Sequence, residues 1–483
     1  MIREGGPWSS AWKIAAGIGG VGAVLAGVGA TMDGKRFAFA YLFAYFAFLT
    51  IALGAAFFVI VQRLTSAGWS VTVRRTAEFI ASALPVFAVL AIPIFLNFGK
   101  LYPMMSRQGQ GAHASILESN AYAADLHPGI GHTASAAAAA PPGHAAPAAD
   151  SHGAAPAHAA PADAHGAPAA HAAPADHAAA GEHGGGHAAG GHGEHDPGHL
   201  IHEETLEKKS AWFSKNFFYG RGIAYVLFWA FLGLRLFNMS VKQDKSKDVK
   251  LTLKAQGSAP LLTVGFALSL TFAAFDWIMA LEPSWFSTIF GVYTFATTQV
   301  SSLSTIVLIT MSLQKAGLTK STITTEHFHD LGKLLFGFTA FWGYIAFSQF
   351  MLIWYAALPE ETTFYHTRWD GEHAPWAMIS LLMVVGHFIF PFFLLMSRHS
   401  KRTHPERLKF GAMWTLCMHV IEWYWLVMPN LYPTEYSFHW MDVACVLAVG
   451  GIFFAVVFWR MTKHALIPVG DPRLLRSIHF QNA

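Results

Sequence analysis

From Phe37 to Val61 the chain reads FAFAYLFAYFAFLTIALGAAFFVIV, an unbroken run without one charged side chain. At about 1.5 Å per residue, a helix of this length crosses the roughly 30 Å of hydrocarbon in a bilayer. The run is therefore read as a transmembrane helix, and the rest of the chain can be searched for others.

Upstream, Ile14 to Ala30 is a second apolar run. Lys13 before it mimics the charged start of a secretory signal peptide. A retained first helix is the preferred reading, because many spans follow and its glycine spacing suits close helix packing. Downstream, Glu78 to Phe98 contains Pro85 and Pro93 and should kink. Further spans are expected at 222–239, 260–281, 285–313, 331–358, 375–396, 408–428 and 440–462. The composition agrees: 53% of the 483 residues are hydrophobic, only 13% are charged, and the mean hydropathy is +0.36. So few charges would not cover a soluble protein of this size. The expected fold is an all-α integral membrane protein with about ten transmembrane helices.

The net charge of +3 says little, but the placement of the charges says more. Most of the 32 Lys and Arg fall in alternate connections, if the N-terminus is cytoplasmic. Those connections carry Arg63, Arg74 and Arg75, then Lys242 to Lys254, then Lys315 to Lys333, then Arg398 to Lys409, then Arg460 to Arg476. The opposite side holds Lys35, Arg36, Arg368 and a few in the long third connection. This bias places both termini in the cytoplasm; the charge-rich side is called the basic face below. The expected segments are 1–99 with helices one to three, a periplasmic linker 100–215, 216–464 with helices four to ten, and a cytoplasmic tail 465–483.

The linker differs in kind. Its middle is Ala, Pro, Gly and His, and fifteen of the 26 histidines lie between His113 and His202. Such a composition cannot bury enough surface to offset its ordering entropy, so disorder is expected. Weak capture of zinc, copper or nickel by irregularly spaced imidazoles is the other reading. No dedicated metal site is expected. Cys417 and Cys445 lie in apolar runs and form no C-x-x-C pair, which argues against thiolate zinc or iron–sulfur centres. No phosphate-binding, dinucleotide-binding or hydrolase motif is present, and no nucleic-acid partner is expected.

Ionisable groups inside spans cost at least about 2.5–3.5 kcal/mol each on insertion scales, so they are the informative positions. Asp276 sits near the outer end of helix five. Glu282 precedes Pro283 in a tight hairpin and, on the plainer reading, caps helix six. His387 lies in the middle of helix eight. His419 and Glu422 lie on one face of helix nine, at the i, i+3 spacing that lets them hydrogen-bond. They form either a satisfied packing pair or, with Asp276, Glu282, His387 and Asp442, a proton relay. Asp442, at the start of helix ten, also reads as an interfacial charge. His387 and His419 would further suit a b-type haem.

The hairpin between helices five and six resembles a known family. Asp276-Trp277-Ile278-Met279, Leu281-Glu282-Pro283 and Trp285-Phe286-Ser287-Thr288-Ile289-Phe290-Gly291-Val292-Tyr293 look like the hallmark of the second NrfD-like (polysulfide-reductase-like) membrane subunit of alternative complex III, the ActF type. Residues 422–429 (EWYWLVMP) and 468–480 (PVGDPRLLRSIHF) are similar to it as well, and the likeness covers all ten spans. The resemblance implies two four-helix bundles with the first and last helices outside them. It implies a subunit of a quinol:cytochrome c oxidoreductase in a bacterial inner membrane, passing electrons to cytochrome c or directly to an oxidase. The redox centres would sit in partners: a multihaem cytochrome, an iron–sulfur subunit and a monohaem cytochrome. A sister NrfD-like subunit would hold the better-supported quinol site. This chain would carry no cofactor of its own beyond quinol or quinone. It would contribute to quinol oxidation or to proton transfer through half-channels, with Asp276, Glu282 and Glu422 as the carried-over acids. At His419 the family implies a basic residue such as Arg, and the histidine-rich insert is longer than the family implies. Two other function classes fit the residues: a stand-alone secondary transporter with a metal-capturing loop, and a structural anchor for redox subunits.

Overall fold

The computed structural model describes residues 8–106, 211–283, 285–369 and 375–481, with Ile2, Gly5, Gly6 and Lys209 beside them. The histidine-rich segment of the linker lies outside the described residues. Among the described residues every regular element is helical. The long helices are α1 (Ala11–Met32), α2 (Gly34–Leu64), α3 (71–96), α4 (Lys215–Ser246), α5 (Val249–Trp277), α6 (Phe290–Lys315), α7 (Thr325–Ala356), α8 (377–396), α9 (Pro405–Val427) and α10 (Trp440–Lys463). Nine are long and apolar enough to cross a membrane, so the chain is a multi-pass, all-α membrane protein. The exception is α9, at 23 residues long enough but made more polar by Glu406, Arg407, Lys409, His419 and Glu422.

Two helices are interrupted, each for a chemical reason. In α3 the segments are Val71–Ala81, Leu84–Leu90 and Ile92–Leu96, and Pro85 and Pro93 stand at the starts of the second and third. A prolyl nitrogen has no hydrogen for the carbonyl one turn back, so the ladder is cut there. The expected kink is thus a double break. In α8 the middle turn, Met383–Ile389, has π spacing. Pro391 cannot donate to the His387 carbonyl, and the ladder opens in the turn that carries His387.

Helices α2 to α5 pack into one four-helix bundle and α6 to α9 into another. The two are joined where α2 meets α6 and α9 and where α5 meets α6. Being apolar all round, α2 suits a central position, and its residues are buried almost throughout. A Cβ at Gly54 would collide with the Thr298 carbonyl, so glycine is what lets α2 and α6 touch.

Outside the bundles, α1 and α10 run antiparallel: Gly19 faces Gly451, Gly22 faces Ala448 and Gly29 faces Met441. Without a hydrophobic drive between helices in lipid, such close backbone packing is what holds them. Gly22→Leu should part α1 from α10 at a cost of about 1–3 kcal/mol. Gly20→Leu, where a side chain meets open space, should cost nothing; the detergent melting points of the two variants check this. Of the two cysteines, Cys445 is buried and Cys417 is exposed.

The basic face corrects one expectation. Arg74 and Arg75 are not loop charges: α3 begins at Val71, and both side chains are fully buried. Arg74 holds Glu78 at 3.0 Å and Asp471 at 2.8 Å, and Arg75 holds Glu78 at 3.1 Å and Asp244 at 2.7 Å. Arg63 completes the network at 3.6 Å from Glu78 and 3.4 Å from Asp471. Asp471 belongs to the C-terminal tail, which folds back beneath the first bundle. There the Ser477 hydroxyl donates to the Trp69 carbonyl at 2.6 Å, and the Gly470 N–H donates to Asp244 at 3.2 Å. Burial alone would raise the Asp471 carboxyl, but Arg74 and the Arg473 N–H overcome it and hold the group well below the usual carboxylate range.

Candidate functional site

Where the two bundles meet, α9 presents His419 and Glu422 on one face. Helix α6 supplies Thr297 to this place, α7 supplies Trp342, α8 supplies His387 and α2 supplies Thr50. His387, His419 and Glu422 have no exposed surface. Glu422 Oε1 accepts from the Trp342 indole N–H at 2.7 Å, and Oε2 accepts from the Thr297 hydroxyl. His419 Nδ1 lies 3.2 Å from that same hydroxyl and 3.8 Å from Oε2. His387 Nε2 stands 3.9 Å from Oε2, and its ring stacks on Trp342 with centroids 4.1 Å apart.

The expected direct bond between His419 and Glu422 is replaced by a bridge through Thr297. This matters chemically. The other ring nitrogen of His419 is 3.0 Å from the Ala47 carbonyl, which only accepts, so Nε2 carries a hydrogen in either charge state. With His419 protonated, Nδ1–H donates to Thr297 and Thr297 donates to an ionised Glu422. With the proton on Glu422, both bonds reverse. A hydroxyl is donor and acceptor at once, so one proton can pass between acid and imidazole with no heavy atom moving far.

Thr297 belongs to a buried hydroxyl-rich face of α6. Toward the basic face, Ser304 lies 2.7 Å from Thr415 and Thr310 bonds Thr76 at 3.3 Å. Thr76 is two residues from Glu78 of the arginine network. Sequence reasoning missed Thr297, Trp342 and Thr50; the signal that could have found the first is the run TTQVSSLST from 297 to 305.

The other candidates are not brought to this cluster. Asp276 is buried and tied by both oxygens to the Arg221 guanidinium at 2.8 Å, with the Tyr225 hydroxyl at 2.8 Å and the Trp212 indole at 2.9 Å. Arg221, one residue before the expected start of helix four at 222, stands inside α4 and stacks 4.0 Å from Trp212. This fork-on-carboxylate arrangement is closed and strong. Asp276→Ala should therefore cost about 3–5 kcal/mol by stranding a buried guanidinium. Adding Arg221→Leu should recover most of that loss, and a double-mutant cycle of unfolding midpoints in detergent reads the coupling.

Glu282 does not cap α6, which begins eight residues later at Phe290 with Ile289 before it. Its charge acts on Arg368, a buried arginine stacked 3.7 Å from Phe364. Burial pushes that guanidinium down to about 10, with Glu282 opposing. Asp442, expected as a relay member or an interfacial charge, is held inside the protein. It is 1% exposed and paired at 2.8 Å with Arg36, itself buried in the first turn of α2 rather than free in a loop.

The haem reading does not fit the residues present. The space between the facing nitrogens of His387 and His419 is filled by the Glu422 carboxylate and the Thr297 hydroxyl, and both His419 nitrogens are engaged. No protein-family model matches the chain, and no curated protein matches its sequence.

Proposed function

We propose that this chain is a membrane subunit of a respiratory quinol oxidoreductase of the alternative complex III type, and that its part is proton transfer at the Glu422 cluster. The observation that carries the reading is one acid within 4 Å of two imidazoles, all fully buried, with a hydroxyl bridging the acid to one of them. An acid and two imidazoles held within 4 Å of the acid and shielded from bulk water suit a relay better than a packing contact. The hydroxyl face of α6 would extend that relay toward the basic face, which the charge bias leads us to read as cytoplasmic, in the bacterial inner membrane that the resemblance implies. The resemblance of the 276–293 hairpin supports the assignment to this complex, with haem and iron–sulfur centres in partner subunits and quinol as the reductant.

The transporter reading gains little. Paired broken helices at matching positions of two repeats would favour it. The breaks here fall in the second helix of one bundle and the third of the other. Extraction of the native membrane protein in mild detergent tests the proposal: multihaem cytochrome and iron–sulfur subunits should co-purify with this chain. Recovery of the chain alone, or as a homo-oligomer without haem absorbance, would overturn it.

A further inference from the structure

In the middle turn of α8, Met383–Ile389, the ladder runs one residue long, and the Phe390 N–H reaches past Gly386 to the Val385 carbonyl. At that spacing the Gly386 carbonyl should take the N–H of residue 391. Residue 391 is a proline and has none. A backbone carbonyl left unpaired away from water costs about as much as a lost hydrogen bond. The Gly386 carbonyl is met instead from outside its own helix: the Trp414 indole N–H, on α9, donates to it at 2.7 Å. Glycine at 386 allows the two helices this approach, since a Cβ there would stand 3.0 Å from the Met418 sulfur. In ordinary α spacing the Phe390 N–H would serve Gly386, and Trp414 would lose its acceptor. The Trp414 bond therefore belongs to the π turn and stabilises it against rewinding.

The next side chain depends on that turn. His387 is fully buried, and neither ring nitrogen has a hydrogen-bond partner among the described residues. Its place is set by the stack on Trp342, with centroids 4.1 Å apart, and by the backbone beneath it. Rewinding the turn would rotate the Cα–Cβ bond of His387 about the axis of α8. That would take the ring off Trp342 and change its approach to Glu422 Oε2, which is now 3.9 Å from Nε2.

We infer that Trp414 is a positioning residue: by holding the Gly386 carbonyl it keeps the π turn of α8, and the π turn aims His387 at Glu422. The inference rests on the proton-transfer reading for what the placement serves, and not for the placement itself.

The test uses the full chain in its native complex with isotopically labelled histidine, read by solid-state NMR of the ring nitrogens. The His387 signals are those that vanish in His387→Gln. Trp414→Phe keeps an aromatic ring and loses the N–H. In it the His387 signals should move, while those of His419, tied to α2 and α6, stay. Quinol-driven proton translocation should fall by up to about 10²-fold, the cost of misplacing a reacting group by about 1 Å. Phe390→Leu removes the ring on which Trp414 packs, with centroids 4.9 Å apart, and keeps the indole N–H; it should leave the His387 signals in place. Unmoved His387 signals in Trp414→Phe would overturn the inference. So would an equal displacement in Phe390→Leu, which would assign the turn to ring packing. Displaced signals with undiminished proton translocation would uphold the placement and count against the proton-transfer reading instead.

Discussion

Glu78→Leu should destabilise the protein by about 3–5 kcal/mol, as large a loss as that expected for Asp276→Ala. Glu78 is fully buried and faces three guanidinium groups, from Arg63, Arg74 and Arg75. Without it those three positive charges share Asp471 and Asp244, and one is left unbalanced where water is scarce. Removing one partner of a buried network costs more than the network contributes, because the remaining charge keeps its desolvation penalty. Unfolding midpoints in detergent read the effect. Arg75→Leu added to Glu78→Leu should restore part of the loss by returning the charge balance. An unchanged midpoint for Glu78→Leu would mean that the arginines are hydrated, and that the contacts within the network hold little.

Glu422→Gln should lower quinol-driven proton translocation by roughly 10²–10⁴-fold, the range that one positioned proton-transfer group supplies, with little change in stability. Glutamine can still accept from Trp342 and donate to Thr297, so the packing survives. It cannot carry a proton between states. Thr297→Val tests the bridge separately: the shape is kept and the hydroxyl is lost, so His419 and Glu422 face each other across 3.8 Å with nothing between them. Both variants would be measured in vesicles with a pH-sensitive dye, beside the electron flux. An unchanged proton-to-electron ratio and rate in Glu422→Gln would remove this carboxyl from the mechanism.

The spans were legible because hydrocarbon imposes long apolar runs, and each expected helix lies within a few residues of an observed one except at charged ends. There hydropathy misleads. Arg74 and Arg75 look like the start of a loop because the compensating Asp471 lies 397 residues from Arg74, beyond any local pattern. Arg36 and Arg221 were set outside their helices for the same reason. Within the site, Glu422, His419 and His387 stood out because ionisable groups are expensive in a membrane. Thr297 and Thr50 did not, because a hydroxyl can bond its own helix cheaply and leaves no trace in composition. Asp276 was as conspicuous as Glu422. What separates them is the Arg221 fork on one and, among the described residues, the absence of an arginine paired with the other, a difference that only tertiary structure creates.

The tie between α3 and the tail also bears on how the chain is made. Synthesis delivers α3 early and Asp471 near the end, and at about 5–20 residues per second the interval is tens of seconds. Throughout it, Arg74, which ends fully buried, has of its two carboxylates only Glu78 close at hand, whereas Arg75 gains Asp244 with α4, so the first turn of α3 is expected to wait in the headgroup layer. Seating of the third helix is thus a late event, triggered by arrival of the tail. A chain cut before residue 471 should leave Arg74 without its second carboxylate and α3 unsettled among the other helices.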